Sequence, residues 1–273
     1  IRHHLGIEAS HRGRDKKALG VGRLMVDLRN SFAEPLNAEK LFEWHRMLMA
    51  DTRNMTIGQW RFHDKPMQVV SGALGKERVH FEAPPSAKVP MEMERFLLWF
   101  NETAPGGKRE MKNAPLRSAI AHLYFETIHP FEDGNGRIGR AIAEKALSQT
   151  LGRPVLLSLS RTIEVNRKAY YQSLEKAQRS NEITEWIGYF AGVALDAQRQ
   201  ARQSVHFLVR KARFFDRFKD KLNERQLKVI RKMMDAGPEG FKGGMSAAKY
   251  ISITGASKAT ATRDLQYLFA IGA

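Results

Sequence analysis

The sequence predicts a mainly helical, all-α protein with one β-hairpin and a helix-turn-helix segment near its end. Apolar residues recur at helical spacing through most of the 273 residues. One stretch, residues 67–85, alternates apolar and polar residues around a Ser-Gly turn instead. Residues 222–273 read as a helix, then a short helix, a glycine turn and a longer helix. With 42% hydrophobic residues, the chain has enough apolar surface for a sizeable core.

The elements follow in chain order. In "LNAEKLFEWHRMLMAD" Asn37 is the N-cap, and Leu41, Phe42, Trp44, His45, Leu48 and Met49 form a broad buried stripe. The hairpin comes next. Val69 and Val70 lead into Ser71, Gly72 and Gly75, then Val79 and Phe81 alternate with polar neighbours, and Pro84 and Pro85 end the run. A lone hairpin leaves an unpaired edge that serves as a template for another chain's strand, or it packs on the surface. "MEMERFLLWFNE" aligns Met93, Phe96, Leu97 and Phe100 on one helical face. "PLRSAIAHLYFETIH" has Pro115 in its first turn and gathers Ile120, Leu123, Tyr124 and Thr127 on one face. "AIAEKALSQTL" stops at Gly152, a C-capping residue. "TIEVNRKAYYQSLEKAQ" reads as one helix, and residues 184–218 as a long helix that grows more basic along its length.

Composition excludes several classes. No apolar run reaches the length of a membrane span, so no membrane partner is expected. The first residues lack a signal-peptide core and an initiator Met, so an N-terminal helical segment, 1–34, is expected to be cut short. The absence of cysteine rules out disulfides and thiolate metal sites and fits a reducing cytoplasm. The net charge of +16 favours nucleic acid, nucleotide phosphates or acidic partners. Residues 205–273 hold 14 Lys and Arg against 6 Asp and Glu, which is half of that excess.

The densest chemistry lies in "HPFEDGNGRIGR", residues 129–140. Gly134, Asn135 and Gly136 tolerate positive φ, so successive backbone N–H groups can converge into an anion nest. A helix starts at the same place, adding free N–H groups and the positive end of its dipole. Arg137 and Arg140 are three apart on one helical face. This set favours a phosphate chain. Asp133 would repel such a ligand unless a divalent cation stood between them, and Mg²⁺ is commonly held by one carboxylate plus substrate phosphates. His129 ends the preceding helix, where an imidazole can take a proton from an attacking hydroxyl. Pro130 stiffens the turn and Phe131 anchors it. A plain corner with two solvated Arg and a capping His would explain neither Asp133 nor the Arg pair. No Walker loop and no H-E-x-x-H pair is present.

This stretch resembles the signature of the Fic (filamentation induced by cAMP) family, H-x-F-x-[DE]-G-N-G-R-x-x-R, at every fixed position. The resemblance extends over about residues 35–200, through "EWHRMLM", "GQWR", "TIHPF" and "RKAYYQSLEKA". It implies a helical domain that transfers AMP from Mg-ATP to a Ser, Thr or Tyr hydroxyl of a target protein, possible self-modification included, with release of pyrophosphate. It implies His129 as general base and Asp133 on Mg²⁺. Gly134, Asn135, Gly136, Arg137, Gly139 and Arg140 are expected on the phosphates. Tyr170, Tyr171 and Gln178 are weaker candidates for the nucleoside pocket, with core packing the alternative for the tyrosines. It recasts the hairpin, with Val69, Val70, Ser71 and Gly72, as a flap that docks an extended stretch of the target. Many relatives carry an inhibitory helix, [ST]-x-x-x-E-[GN], whose Glu pairs with the second motif Arg. Here only "SRTIEV", Ser160 to Val165, comes near it, so Arg140 is the expected partner of such a helix preceding residue 1. Some relatives instead remove AMP from modified targets.

The end of the chain raises another function. Ser257, Lys258, Thr260, Thr262 and Arg263 open the second helix after the turn at Thr254-Gly255-Ala256, while Leu265, Leu268 and Ile271 face inward. Short polar and basic side chains there reach phosphates and base edges. The segment looks like a winged helix of bacterial regulators, used for DNA or for protein contacts and dimerisation. The expected division is 1–34, a Fic-type catalytic domain 35–204, a helical linker 205–221 and a winged-helix domain 222–273. A DNA-binding regulator with a nucleotide-sensing domain is the rival to the transferase reading.

Overall fold

The computed structural model describes residues 16–71, 78–155 and 157–273. Its helices are α1 (Lys16–Asn30), α2 (Ala38–Met49), α3 (Val89–Glu102), α4 (Ala114–Ile128), α5 (Asn135–Thr150), α6 (Leu159–Val165), α7 (Arg167–Gln178), α8 (Thr184–Phe218), α9 (Glu224–Met234), α10 (Ala247–Thr254) and α11 (Lys258–Ala270). The strands β1 (Gln68–Ser71) and β2 (Arg78–Glu82) pair antiparallel. The fold is thus mainly helical with one hairpin, as the sequence predicts. Gly72, Gly75 and the first fifteen residues lie outside the described residues. The chain divides into two compact units, residues 1–197 and 198–273, with the boundary inside α8.

In the first unit α4 lies at the centre and α5 packs along it. Of the four residues that share a face of α4, Leu123 is buried in the core. Ile120, Tyr124 and Thr127 are half-buried, whereas Arg117, Ser118, Ala121, His122, Phe125 and Glu126 are fully buried. Polar residues occupy that inner face, so hydrophobic periodicity could not find it. Arg117 shows how it is satisfied. Its guanidinium donates to Phe100 O at 2.8 Å, Gln149 Oε1 at 2.9 Å, Ala146 O at 3.2 Å and Thr103 Oγ1 at 3.2 Å. Burial lowers its pKa to about 10, so it stays charged at neutrality. Lys145 Nζ donates to Ser31 O at 2.6 Å, tying α5 to the end of α1. Trp44 Nε1 bonds Asp27 Oδ2 at 2.7 Å between α2 and α1.

The expected single helix over 162–178 is two, α6 and α7. Asn166 breaks it with non-helical backbone (φ −138°, ψ 59°), and its side chain accepts from Ala169 N–H as the N-cap of α7. Asn competes with the helix for backbone partners in this way. In the hairpin, Val69 pairs with Phe81 and Val70 with Val79, so His80 is the extra residue of a β-bulge. His80 Nδ1 lies 3.0 Å from Glu175 Oε2, and Arg179 donates to His80 O at 3.2 Å, fastening β2 to α7.

The second unit is built around Phe218, Leu222, Val229, Ile230, Tyr250, Ala261 and Leu268. Asp264 of α11 accepts from Tyr250 Oη at 2.7 Å, Gln226 Nε2 at 3.2 Å and Arg225 Nε at 3.3 Å, so one carboxylate joins three helices. Gly255 takes φ +71° between α10 and α11, the left-handed turn the sequence signalled.

Replacing Arg117 with Ala strands buried carbonyls of α3 and α5. Urea titration should show a loss of roughly 3 kcal/mol, partly restored by Arg117→Lys.

Candidate active site

Helix α4 ends at His129, whose backbone is left-handed (φ 51°, ψ 60°) and whose N–H donates to Phe125 O. A non-glycine residue there costs roughly 1–2 kcal/mol, so its surroundings must hold it. Phe131 provides one hold. It is fully buried, stacked on His45 at 4.1 Å and close to Trp60 at 5.2 Å. Asn135 provides another: its Oδ1 accepts from Phe131 N–H at 3.0 Å and its Nδ2 donates to Phe131 O at 2.8 Å. Both polar atoms of this motif residue are spent inside the loop. Gly58 N–H donates to His45 Nδ1 at 3.0 Å, which places the imidazole proton on Nε2, 3.2 Å from Asp133 O.

Gly134 is left-handed (φ 86°) and α5 starts directly after it, so the first N–H groups of α5 lie beside Arg137, whose Nη2 is close to Gly134. Arg140 folds over Gly136, where a Cβ would sit 3.2 Å from its Nη1. Arg137 Nη2 lies 3.3 Å from Asp133 Oδ2. Asp133 is a mostly exposed carboxylate, 65% accessible, at the lip of this cradle. No cluster of three metal-ligating side chains exists among the described residues. One open carboxylate beside an anion cradle suits a hard cation that takes its other ligands from phosphate and water. Arg140 Nε donates to Ser160 Oγ at 2.7 Å, so the "SRTIEV" segment does touch this Arg, through its Ser.

His129 Nδ1 sits 3.4 Å from Glu126 O, an acceptor only, which leaves the lone pair on Nε2. Burial lowers the His129 pKa to about 4, and the Arg61 charge pushes the same way, so the imidazole is neutral at pH 7. Beneath Arg140 lies a buried polar cluster. His122 Nε2 and Tyr170 Oη are 2.8 Å apart, and Glu126 and Glu144 are buried beside them. Burial pulls the His122 pKa down to about 3 and raises Glu126 to about 7 and Glu144 to about 8, while the Arg140 charge lowers both carboxyls.

Of the expected site residues, Asp133 pairs with Arg137, Arg137 lies by Gly134, Arg140 lies by Gly136, and the Asp133 charge acts on His129. It puts Tyr170 inside, 3% exposed, and Tyr171 outside, 45% exposed, with Arg167 over its ring. Gln178 donates to Glu126 O at 3.3 Å. Val69 and Ser71 lie on β1, apart in sequence but held near α7 through β2. Sequence reasoning treated His45 as a core residue and passed over Arg61, Glu126 and Glu144. A buried imidazole or carboxyl leaves no trace in spacing.

Residues 35–147 match the model of the Fic/DOC family. The chain is 30% identical over 137 residues to a probable protein adenylyltransferase of Aquifex aeolicus, covering 47% of this chain and 41% of that one. It is 24% identical over 159 residues to the protein adenylyltransferase Fic of Nematostella vectensis, covering 58% and 32%. The chain therefore spans less than half the length of these curated relatives. A solved Fic family protein from Desulfovibrio desulfuricans superposes with a TM-score of 0.55 at 23% identity, over 98% of this chain and 72% of its own. A Fic domain containing signaling protein from Bacteroides thetaiotaomicron gives 0.53 at 20%, over 73% and 76%. These superpositions establish the shared fold.

Gly139, expected on the phosphates, is instead enclosed between α5 and α4. A Cβ there would meet Glu126 Oε1 at 2.4 Å and His122 at 3.2 Å. Gly139→Ala should push α5 off α4 and destabilise the chain by about 1–3 kcal/mol in urea titration.

Proposed function

We propose, for a chain that carries a Fic/DOC family domain over residues 35–147, that it transfers AMP from ATP to a hydroxyl side chain of a protein target. The observation that carries this reading is a neutral, half-buried imidazole beside a helix N-terminus that bears two arginines. The target hydroxyl oxygen forms a bond to the α-phosphorus as the bond to pyrophosphate breaks. The hydroxyl proton goes to His129 Nε2, whose lone pair is free because Nδ1 faces a carbonyl. The N–H groups of α5, Arg137 and Arg140 hold the phosphates and offset the charge that develops on them. Asp133 would hold Mg²⁺, which when bound neutralises part of the phosphate charge. Tyr171, exposed on α7, is the tyrosine available to a nucleoside. The hairpin is the surface for an extended target segment, with backbone pairing fixing its register.

The test incubates the chain with labelled ATP, Mg²⁺ and candidate targets, itself included. His129→Ala should lower transfer roughly 10²–10⁴-fold while nucleotide binding persists. Equal labelling by both proteins would overturn the base assignment, and removal of AMP from a modified target without forward transfer would reverse the reaction's direction. The acid limb of kcat/KM should fall near pH 4, where this imidazole titrates, rather than near 6.5.

A second reading concerns the second unit, where α10, the Gly255 turn and α11 form a helix-turn-helix. Ser257 caps α11 by accepting from Thr260 N–H, and Lys258, Thr262 and Arg263 are exposed on its first turns. This favours DNA as a ligand of that unit, in addition to the transferase. Binding to duplex DNA should weaken steeply with salt, and the pair Lys258→Ala and Arg263→Ala should reduce the log–log slope by about 2. No retention on DNA at low salt would leave the unit to protein contacts.

A further inference from the structure

Arg61 has no role in the proposed chemistry, yet it is only 2% exposed and lies against the catalytic corner. Its Nε donates to His129 O at 2.8 Å, and Nη2 reaches Ile128 O at 3.4 Å. Its own backbone N–H donates to Pro130 O at 2.9 Å. One residue thus satisfies three successive carbonyls across the end of α4, where that helix has no further partners for them. A cation at a helix C-terminus is also favoured by the dipole. The other side of the same guanidinium serves a different segment. Nη2 donates to Pro84 O and Nη1 to Ser86 Oγ at 2.9 Å, and Ser86 Oγ in turn donates to His63 O at 2.7 Å. Pro84 lies two residues beyond the end of β2.

We propose that Arg61 is a positioning residue that fixes the base of the hairpin relative to the His129 imidazole, so that a target docked on the hairpin arrives in line with the group that takes its proton. Only a planar fork with donors on several edges can serve both sides at once. A lysine ammonium carries the charge but reaches acceptors on one side. The left-handed backbone of His129 makes the requirement sharper, because relaxation of φ there would turn the imidazole away. The proposal rests on the transferase reading above, so its test needs one readout that does not depend on transfer.

Arg61→Lys and Arg61→Gln are compared with the unchanged chain in thermal melting, Mg-ATP calorimetry, transfer kinetics with a protein target, and carbethoxylation of His129 followed peptide by peptide. In Arg61→Lys, Kd for Mg-ATP should stay within about twofold while kcat falls on the order of 10²-fold, the cost of misplacing a reacting group by about 1 Å. Carbethoxylation of His129 should become several-fold faster. Arg61→Gln should show the same split with a lower melting temperature. A loss of transfer that only follows the loss of nucleotide binding or of folded protein would overturn the proposal. So would unchanged kcat and unchanged His129 reactivity in Arg61→Lys. If the unchanged chain transfers nothing, the transferase reading fails, and the reactivity of His129 alone still decides whether Arg61 holds it.

Discussion

The corner between α4 and α5 depends on burying one aromatic ring between two left-handed residues. His129 and Gly134 both have positive φ, and Phe131 lies between them. With Phe131 seated against His45, Trp60 and Phe125, the loop can close only one way, and Asn135 locks it by bonding both polar groups of the Phe131 backbone. The free N–H groups at the start of α5 are then left facing outward, available to an anion. The directions of these groups are set by hydrophobic packing.

The same corner shows how a polar site can stand on a polar core. The inner faces of α4 and α5 carry Arg117, Ser118, His122, Glu126, Glu144 and Lys145, all buried. Most have partners, which burial requires. Gly139 lets the two helices approach closely enough that Glu126 packs on the bare backbone. Its smallness therefore serves packing.

Much of this was legible in the sequence. Helix starts were readable where capping chemistry is local: Asn37 and Ser257, both marked in the sequence, accept from backbone N–H groups three residues on, as do Asn113 and Ser246, which were passed over. The twelve residues from His129 to Arg140 could be read as a unit because their chemistry is contiguous. What stayed hidden was non-local. The buried Arg117, Ser118, His122 and Glu126 of α4 were missed because they are polar, and the break at Asn166 because helical spacing continues through it. Arg61 was missed because its partners lie 23 to 68 residues away and are mostly backbone carbonyls, which have no letter in the sequence.

The two buried carboxyls under Arg140 couple the cradle to solvent acidity. Glu126, raised to about 7, and Glu144, raised to about 8, share their protons with water near neutrality, and the Arg140 charge keeps both lower than burial alone would. A phosphate lodged on that guanidinium offsets the restraining charge, so each carboxyl holds its proton more firmly. Anion capture there would consume hydrogen ions, and the heat released on mixing would depend on the ionisation enthalpy of the surrounding buffer.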